Sequence, residues 1–194
     1  MEESFEQAIR RNFTEHDYTV DCMKERLLYV YDSDIDKCSY MTADEEKRDI
    51  SLSLSNPSEK MVTHICIDGG IVEYGKADYV GDGKERGRPD CMVFTDRLLM
   101  IVELKMNLTS DENKRVLANC FEGLHQIEDF YCDYFTLRMT DIDHFYPHGS
   151  KVAVVCPRYM PSLDKKRNSQ RIREREMLSE KMDMKIEFTT QYTI

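Results

Sequence analysis

The chain lacks any long apolar run. No window of its 194 residues approaches the roughly 18 consecutive apolar residues of a membrane-spanning helix, so no membrane partner is expected. The opening stretch, MEESFEQAIRR, is polar and amphipathic, unlike a secretory leader. There is no CxxC pair and no His/Cys cluster with zinc spacing. The seven cysteines, at 22, 38, 66, 91, 120, 132 and 156, are an odd number, and Cys66, Cys91 and Cys156 lie in apolar, strand-like runs. That usage reads as buried free thiols in a reducing cytoplasm. Positive charge is scarce: 27 Lys and Arg face 37 Asp and Glu, a formal net charge of −10. This argues against a protein that coats nucleic acid by bulk electrostatics, while leaving room for a local basic strip beside an acidic site. Internal repeats and low-complexity tracts are absent too.

What is present suits a globular protein: 41% hydrophobic and 10% aromatic residues, and enough chain for one domain with a full core. The most informative stretch is GRPDCMVFTDRLLMIVELK, from Gly87 to Lys105. Two apolar runs, 91–94 and 98–102, flank Thr95-Asp96-Arg97, the signal of a hairpin. Antiparallel pairing lays the start of the first strand beside the end of the second. Asp90, Glu103 and Lys105 then converge at one end, with Glu103 and Lys105 on one face and Leu104 on the other. Two carboxylates and an ammonium beside apolar strands are costly to hold together. A hard divalent cation accounts for them: Mg²⁺ or Mn²⁺ takes one or two carboxylates, keeps waters and accepts a phosphate oxygen. Lysine can orient a water or neutralise charge on the phosphate. A surface hairpin ending in a solvated Glu/Lys pair is the plain alternative.

These residues resemble the catalytic core of the PD-(D/E)xK nuclease superfamily. Pro89-Asp90 matches the first half of its motif and Glu103-Leu104-Lys105 the second, and the resemblance covers residues 60–156. It implies an α/β fold: a restriction-endonuclease-like core with a mixed central β-sheet flanked by helices. It further implies Asp90 and Glu103 as metal ligands, Lys105 as the residue positioning water, and Mg²⁺ or Mn²⁺ as cofactor. Many members add a glutamate from an opening helix, for which Glu6 is the position here. RecB-type members carry, on the helix after the ExK strand, a glutamine followed four residues on by tyrosine. Gln126 fits, but the fourth position is Phe130 and the tyrosine stands at 131. A single domain over 1–194 follows, in which residues 32–58 are least like the core and read as an insertion or as ordinary packing.

Residues 2–13 carry Phe5, Ala8, Ile9 and Phe13 as one helical stripe. Residues 17–31 hold Val20, Met23, Leu27, Leu28 and Tyr31 at helical period, though 27–31 also suits a strand. Thr42 with Glu45 reads as a capping box opening a helix, and Asn56-Pro57 as a break. His64, among apolar neighbours, reads as a core histidine. Strands are expected over 71–74 and 76–80, then a turn at 81–83. The segment GDGKERGR (81–88) lacks Walker spacing, which excludes a nucleotide loop, but Lys84, Arg86 and Arg88 can meet phosphates. A long helix is expected over 111–135, capped by Ser110 or Asp111, with His125 and Glu128 as weaker site candidates. A loop at 137–150 and a buried strand at 151–156 follow, which makes a βαβ-like crossover. A thinly packed charged helix at 164–182 and an edge strand at 184–188 close the chain. Lys165, Lys166, Arg167 and Arg171, with Arg173 and Arg175, make a basic patch suited to a phosphate backbone, or a solvated helix with internal Glu/Arg pairs.

Two functions are expected from this. One is a Mg²⁺-dependent phosphodiesterase acting on DNA; the metal chemistry does not distinguish sugars, so RNA stands beside it. The other is a catalytically silent nuclease-fold binding module, docking a larger nucleic-acid-processing or defence complex through its acidic surface. The sequence leaves a homodimer or a larger complex open for either.

Overall fold

Side chains of the hairpin strands alternate between two apolar environments, and that alternation sorts the fold into layers. The computed structural model describes residues 3–13, 18, 20–33, 38–68, 71, 87–164 and 167–194. Helix α1 (Phe5–Asn12) opens at Ser4, whose hydroxyl accepts from Gln7 N while the Gln7 side chain accepts from Ser4 N, a reciprocal cap. Strands β1 (Val20–Met23), β2 (Leu27–Asp32) and β3 (Ser39–Thr42) follow. A 3₁₀ turn over Glu45–Ile50 leads into β4 (Ser51–Ser55), then β5 (Val62–Cys66), β6 (Cys91–Phe94) and β7 (Leu99–Lys105). Helix α2 (Asn113–Phe130) runs into a π-helical stretch at Tyr131–Phe135 and the short helices α3 (Thr136–Arg138) and α4 (Ile142–Phe145). Strand β8 (Lys151–Pro157), helix α5 (Ser169–Met182) and strands β9 (Lys185–Phe188) and β10 (Gln191–Thr193) complete the order.

The fold is mixed α/β with two mixed sheets. The larger has the order β1-β5-β6-β7-β8-β9, the smaller β10-β4-β2-β3. The expected hairpin forms, with Cys91 opposite Val102 and Phe94 opposite Leu99. Strands β7, β8 and β9 run parallel, joined by crossovers through α2 and α5. One face of the large sheet (Ile65, Met92, Phe94, Leu99, Ile101, Ala153, Val155) packs under the helices, with Phe5, Ile9, Leu124 and Leu178 in the same cluster. The other face (Val62, Cys91, Val93, Met100, Val102, Leu104, Val154) packs on Leu28, Val30, Leu52 and Leu54 of the small sheet. Each buried Leu, Val or Ile here contributes about 1.5–3 kcal/mol.

Several expectations are corrected. Over the described part of 17–31 the chain forms β1 where a helix was expected, while β2 bears out the strand alternative for 27–31. The apolar positions of β2 are buried by pairing with β3 and β4. Thr42 ends β3; the cap of the 3₁₀ turn is Asp44, which accepts from Glu46 N at 3.0 Å. Within residues 32–58, β3 and β4 supply two of the four strands of the small sheet. The N-cap of α2 is Glu112, without a side-chain cap; Ser110 Oγ instead accepts from Glu112 N at 3.3 Å. The stretch 137–150 holds helical turns, and α5 begins only at Ser169. Strand β10 was not foreseen. The strands expected at 71–80 and the turn at 81–83 lie outside the described residues, Ile71 apart.

Candidate active site

The acids of the hairpin do meet. Asp90 stands immediately before β6, and its Oδ2 accepts from Leu104 N at 2.5 Å across the hairpin. Its carbonyl accepts from Ile67 N at 2.8 Å and from Ser39 Oγ at 3.1 Å, so main chain and the small sheet both fix it. Counting by twos along each strand puts Asp90 with Met92 and Phe94, and Glu103 and Lys105 with Leu99 and Ile101, all on the helix-covered face. Leu104 belongs to the opposite face, as expected. Glu103 is only 4% exposed. Its Oε1 lies 2.7 Å from Lys105 Nζ. The Lys105 ammonium also donates to Gln126 Oε1 at 2.5 Å, and Glu122 Oε1 of α2 lies 3.8 Å away. Glu103 Oε2 is sealed from solvent and has no hydrogen-bond partner among the described residues.

Burial makes these acids reluctant to ionise. Desolvation pushes the Glu103 carboxyl from an ordinary 4.5 up to about 7, against the pull of the Lys105 ammonium, and the charges of Asp32 and Asp68 push the same way. Asp90 is raised well above the usual carboxylate range, first by burial and then by the negative charges of Glu103 and Asp32. The site therefore sets two carboxyls that resist ionisation beside the Lys105 ammonium. An orphaned carboxylate oxygen (Glu103 Oε2) beside a second desolvated carboxylate is the donor chemistry a hard dication takes. Among the described residues no group of three or more His, Cys, Asp or Glu is arranged to hold a metal.

Other expected site residues are placed elsewhere. Glu6 is not at this end of the sheet. Phe5 packs edge-on against Phe94 (4.9 Å between ring centroids) and Tyr146 (4.8 Å), which carries α1 to the turn end of the hairpin. That end is about 13 Å along β6 from Asp90, and Glu6 pairs there with Arg10 at 3.0 Å. Arg88 is not an open phosphate contact: its side chain is 10% exposed, and its guanidinium lies 3.3 Å from Asp68 Oδ1. Arg171 pairs with Glu174 at 2.8 Å and lies 4.7 Å from the centre of the Phe121 ring. Arg175 donates to the Ile186 carbonyl. Two members of the expected basic patch, Arg171 and Arg175, are thus engaged in internal contacts, while Arg167 and Arg173 are exposed. Lys84, Arg86, Lys165 and Lys166 lie outside the described residues. His125 bridges Glu128 (3.0 Å) and Glu174 (2.9 Å), a clasp between α2 and α5 rather than a site group. His64 is a core histidine: Nε2 meets Ser39 Oγ at 3.1 Å, while Nδ1 lies 3.3 Å from Asp21 Oδ2 without hydrogen-bond geometry.

Four residues at the site escaped the sequence reading. Asp68 follows β5, whose end adjoins the start of β6, so an acid closing the neighbouring apolar run was the available signal. Asp32 arrives from the end of β2, paired in register with Ser39, and nothing local marks it. Glu122 and Gly123 sit on α2 one turn before Gln126, which only the helix's docking reveals. No family model, curated protein or solved structure matches the chain.

Proposed function

We propose that this chain is a metal-dependent nuclease hydrolysing phosphodiester bonds in DNA, built on a restriction-endonuclease-like core running α1, β5, β6, β7, α2, β8. The observation that carries the reading is the trio at one sheet end: Asp90, the buried Glu103 with Oε2 unpartnered among the described residues, and Lys105 held by Glu103 and Gln126. The strand pattern supports it, since three antiparallel strands followed by a helix and a parallel strand agree with the core the motif implies.

Asp90 and Glu103 would hold Mg²⁺ or Mn²⁺, which when bound supplies Lewis acidity to a phosphoryl oxygen. Lys105 does the positioning. Its ammonium is fixed on two sides by Glu103 Oε1 and Gln126 Oε1, so it can hold a water for in-line attack on phosphorus and offset charge gathering on the phosphate. Gln126 has no proton to move; it keeps the lysine from turning wholly into the Glu103 carboxylate. Burial of Glu103 on β7 keeps bulk water from its carboxyl.

The test is cleavage of linear, circular and single-stranded DNA, and of RNA, with Mg²⁺ or Mn²⁺ and with chelator. Cleavage that needs metal and disappears in Asp90→Asn and Lys105→Ala is expected; cleavage that survives both removes the assignment. A second reading has one observation behind it. Arg88, Arg171 and Arg175 are engaged internally in a chain of net charge −10, which suits a silent module docking a larger nucleic-acid-processing complex. That reading predicts no metal-dependent cleavage by any preparation of the intact chain.

A further inference from the structure

We infer that Gly123 is a positioning residue: the lack of a side chain there lets α2 come close enough to hold Lys105 between Glu103 and Gln126. Glycine is among the worst residues for a helix interior, and Gly123 stands in the middle of an 18-residue helix, fully buried. A mid-helix glycine needs a packing reason. The reason is at hand. A Cβ on Gly123 would stand 2.8 Å from Glu103 Cγ, 3.1 Å from Lys105 Cε and 3.2 Å from Val155 Cγ1. The first distance is shorter than carbon atoms tolerate, and the Glu103 side chain has little room to retreat at 4% exposure. Gln126 lies three residues on, hence on the same side of the helix, where its Oε1 receives the Lys105 ammonium at 2.5 Å.

A second glycine closes the arrangement from above. A Cβ on Gly87 would collide with Gln126 Cγ and stand 2.9 Å from Gln126 Cα. The segment leading into Pro89-Asp90 therefore lies directly on the turn of α2 that carries Gln126. Gly123 sets the gap between helix and ExK strand, and Gly87 the gap between helix and the approach to Asp90. The consequence for cleavage rests on the nuclease reading above; the packing claim does not.

The experiment separates the two. Four proteins are compared: wild type, Gly123→Ala, Glu103→Ala and the double variant. Melting is followed in chelator, Mn²⁺ binding by calorimetry, and Mg²⁺-dependent DNA cleavage by steady-state kinetics. In the Glu103→Ala background, alanine at 123 should raise Tm by about 2–4 °C, its usual effect in a helix interior. In the wild-type background it should lower Tm, because the methyl group meets Glu103. Mn²⁺ affinity should fall about tenfold or more, and kcat about a hundredfold with KM little changed, as misplacement of a positioned group does. A Tm rise of the same size in both backgrounds overturns the inference, as does unaltered Mn²⁺ affinity in a Gly123→Ala protein derived from a binding-competent wild type. If wild type neither binds Mn²⁺ nor cuts DNA, the nuclease reading falls, and the sign change in Tm alone decides the packing claim. If Gly123→Ala is insoluble, recovery of folding in the double variant supports the inference and failure to recover overturns it.

Discussion

Glu103→Gln should make the metal-free protein more stable while abolishing its activity, and the gain should depend on pH. The Glu103 carboxyl rises from an ordinary 4.5 to about 7 on folding. That difference corresponds to about 3 kcal/mol. For an acid whose folded value is raised, the folded state binds the extra proton between the two values. Stability is therefore greatest below 4.5, falls as pH rises toward 7, and stays low above it. Glutamine mimics the protonated form at every pH. At pH 8 the variant should gain up to about 3 kcal/mol over wild type, or about 6–12 °C in Tm for a domain of this size; at pH 4 it should gain almost nothing. Mg²⁺ at a hundred times its dissociation constant adds about 2.7 kcal/mol to a protein that binds it only when folded. It should narrow the gap by stabilising wild type and not the variant. Thermal melts at pH 4 and pH 8, with chelator and with Mg²⁺, measure all four quantities. A Gln variant no more stable than wild type at pH 8, or a gain independent of pH, refutes the account of Glu103 as a desolvated, cation-seeking carboxylate.

Other substitutions have separable outcomes. Lys105→Ala removes the partner of a buried carboxylate and should cost about 3–5 kcal/mol in denaturant melts at pH 8, but clearly less at pH 5, where Glu103 is protonated; cleavage should be lost at both. Glu6→Ala removes only an exposed helix pair with Arg10, worth about 0.2–0.5 kcal/mol. It should leave the cleavage rate and Mn²⁺ affinity unchanged, and a strong loss of either would mean α1 reaches the site after all. Lys151, whose side chain is 1% exposed, is bound by Asp143 at 2.5 Å and Asp183 at 2.9 Å, far from the candidate site. Lys151→Met should destabilise by about 1.5–3 kcal/mol with Mn²⁺ binding intact, checked by melts and titration on the same preparation.

How much of this was legible beforehand divides along physical lines. Where a feature depends on near neighbours in the chain, it could be read. The hairpin at 91–105 follows from two apolar runs around a polar turn, and side-chain alternation alone puts Glu103 and Lys105 on one face. The β8 strand follows from a β-branched run, and the α2 helix from its stripe of Val116, Leu117, Cys120, Phe121, Leu124 and Ile127. The segment containing β1 misled, because Val20, Met23, Leu27, Leu28 and Tyr31 match helical spacing, although 27–31 also read as the strand it forms. Pairing with β3, β4 and β5 overrode that local preference.

The sequence by itself determined that an acid, a second acid and a lysine would share one hairpin end, since strand period and antiparallel register are local geometry. Tertiary packing alone decided what surrounds them. The fit of Phe5 against Phe94 and Tyr146 took Glu6 to the opposite end of the sheet. The docking of α2, possible at that distance only because residue 123 has no side chain, delivered Gln126 and Glu122 to Lys105. The stacking of the small sheet on the large one brought Asp32 near enough for its charge to act on Asp90 and Glu103. Contacts of that kind join residues distant in sequence, and no periodicity records them.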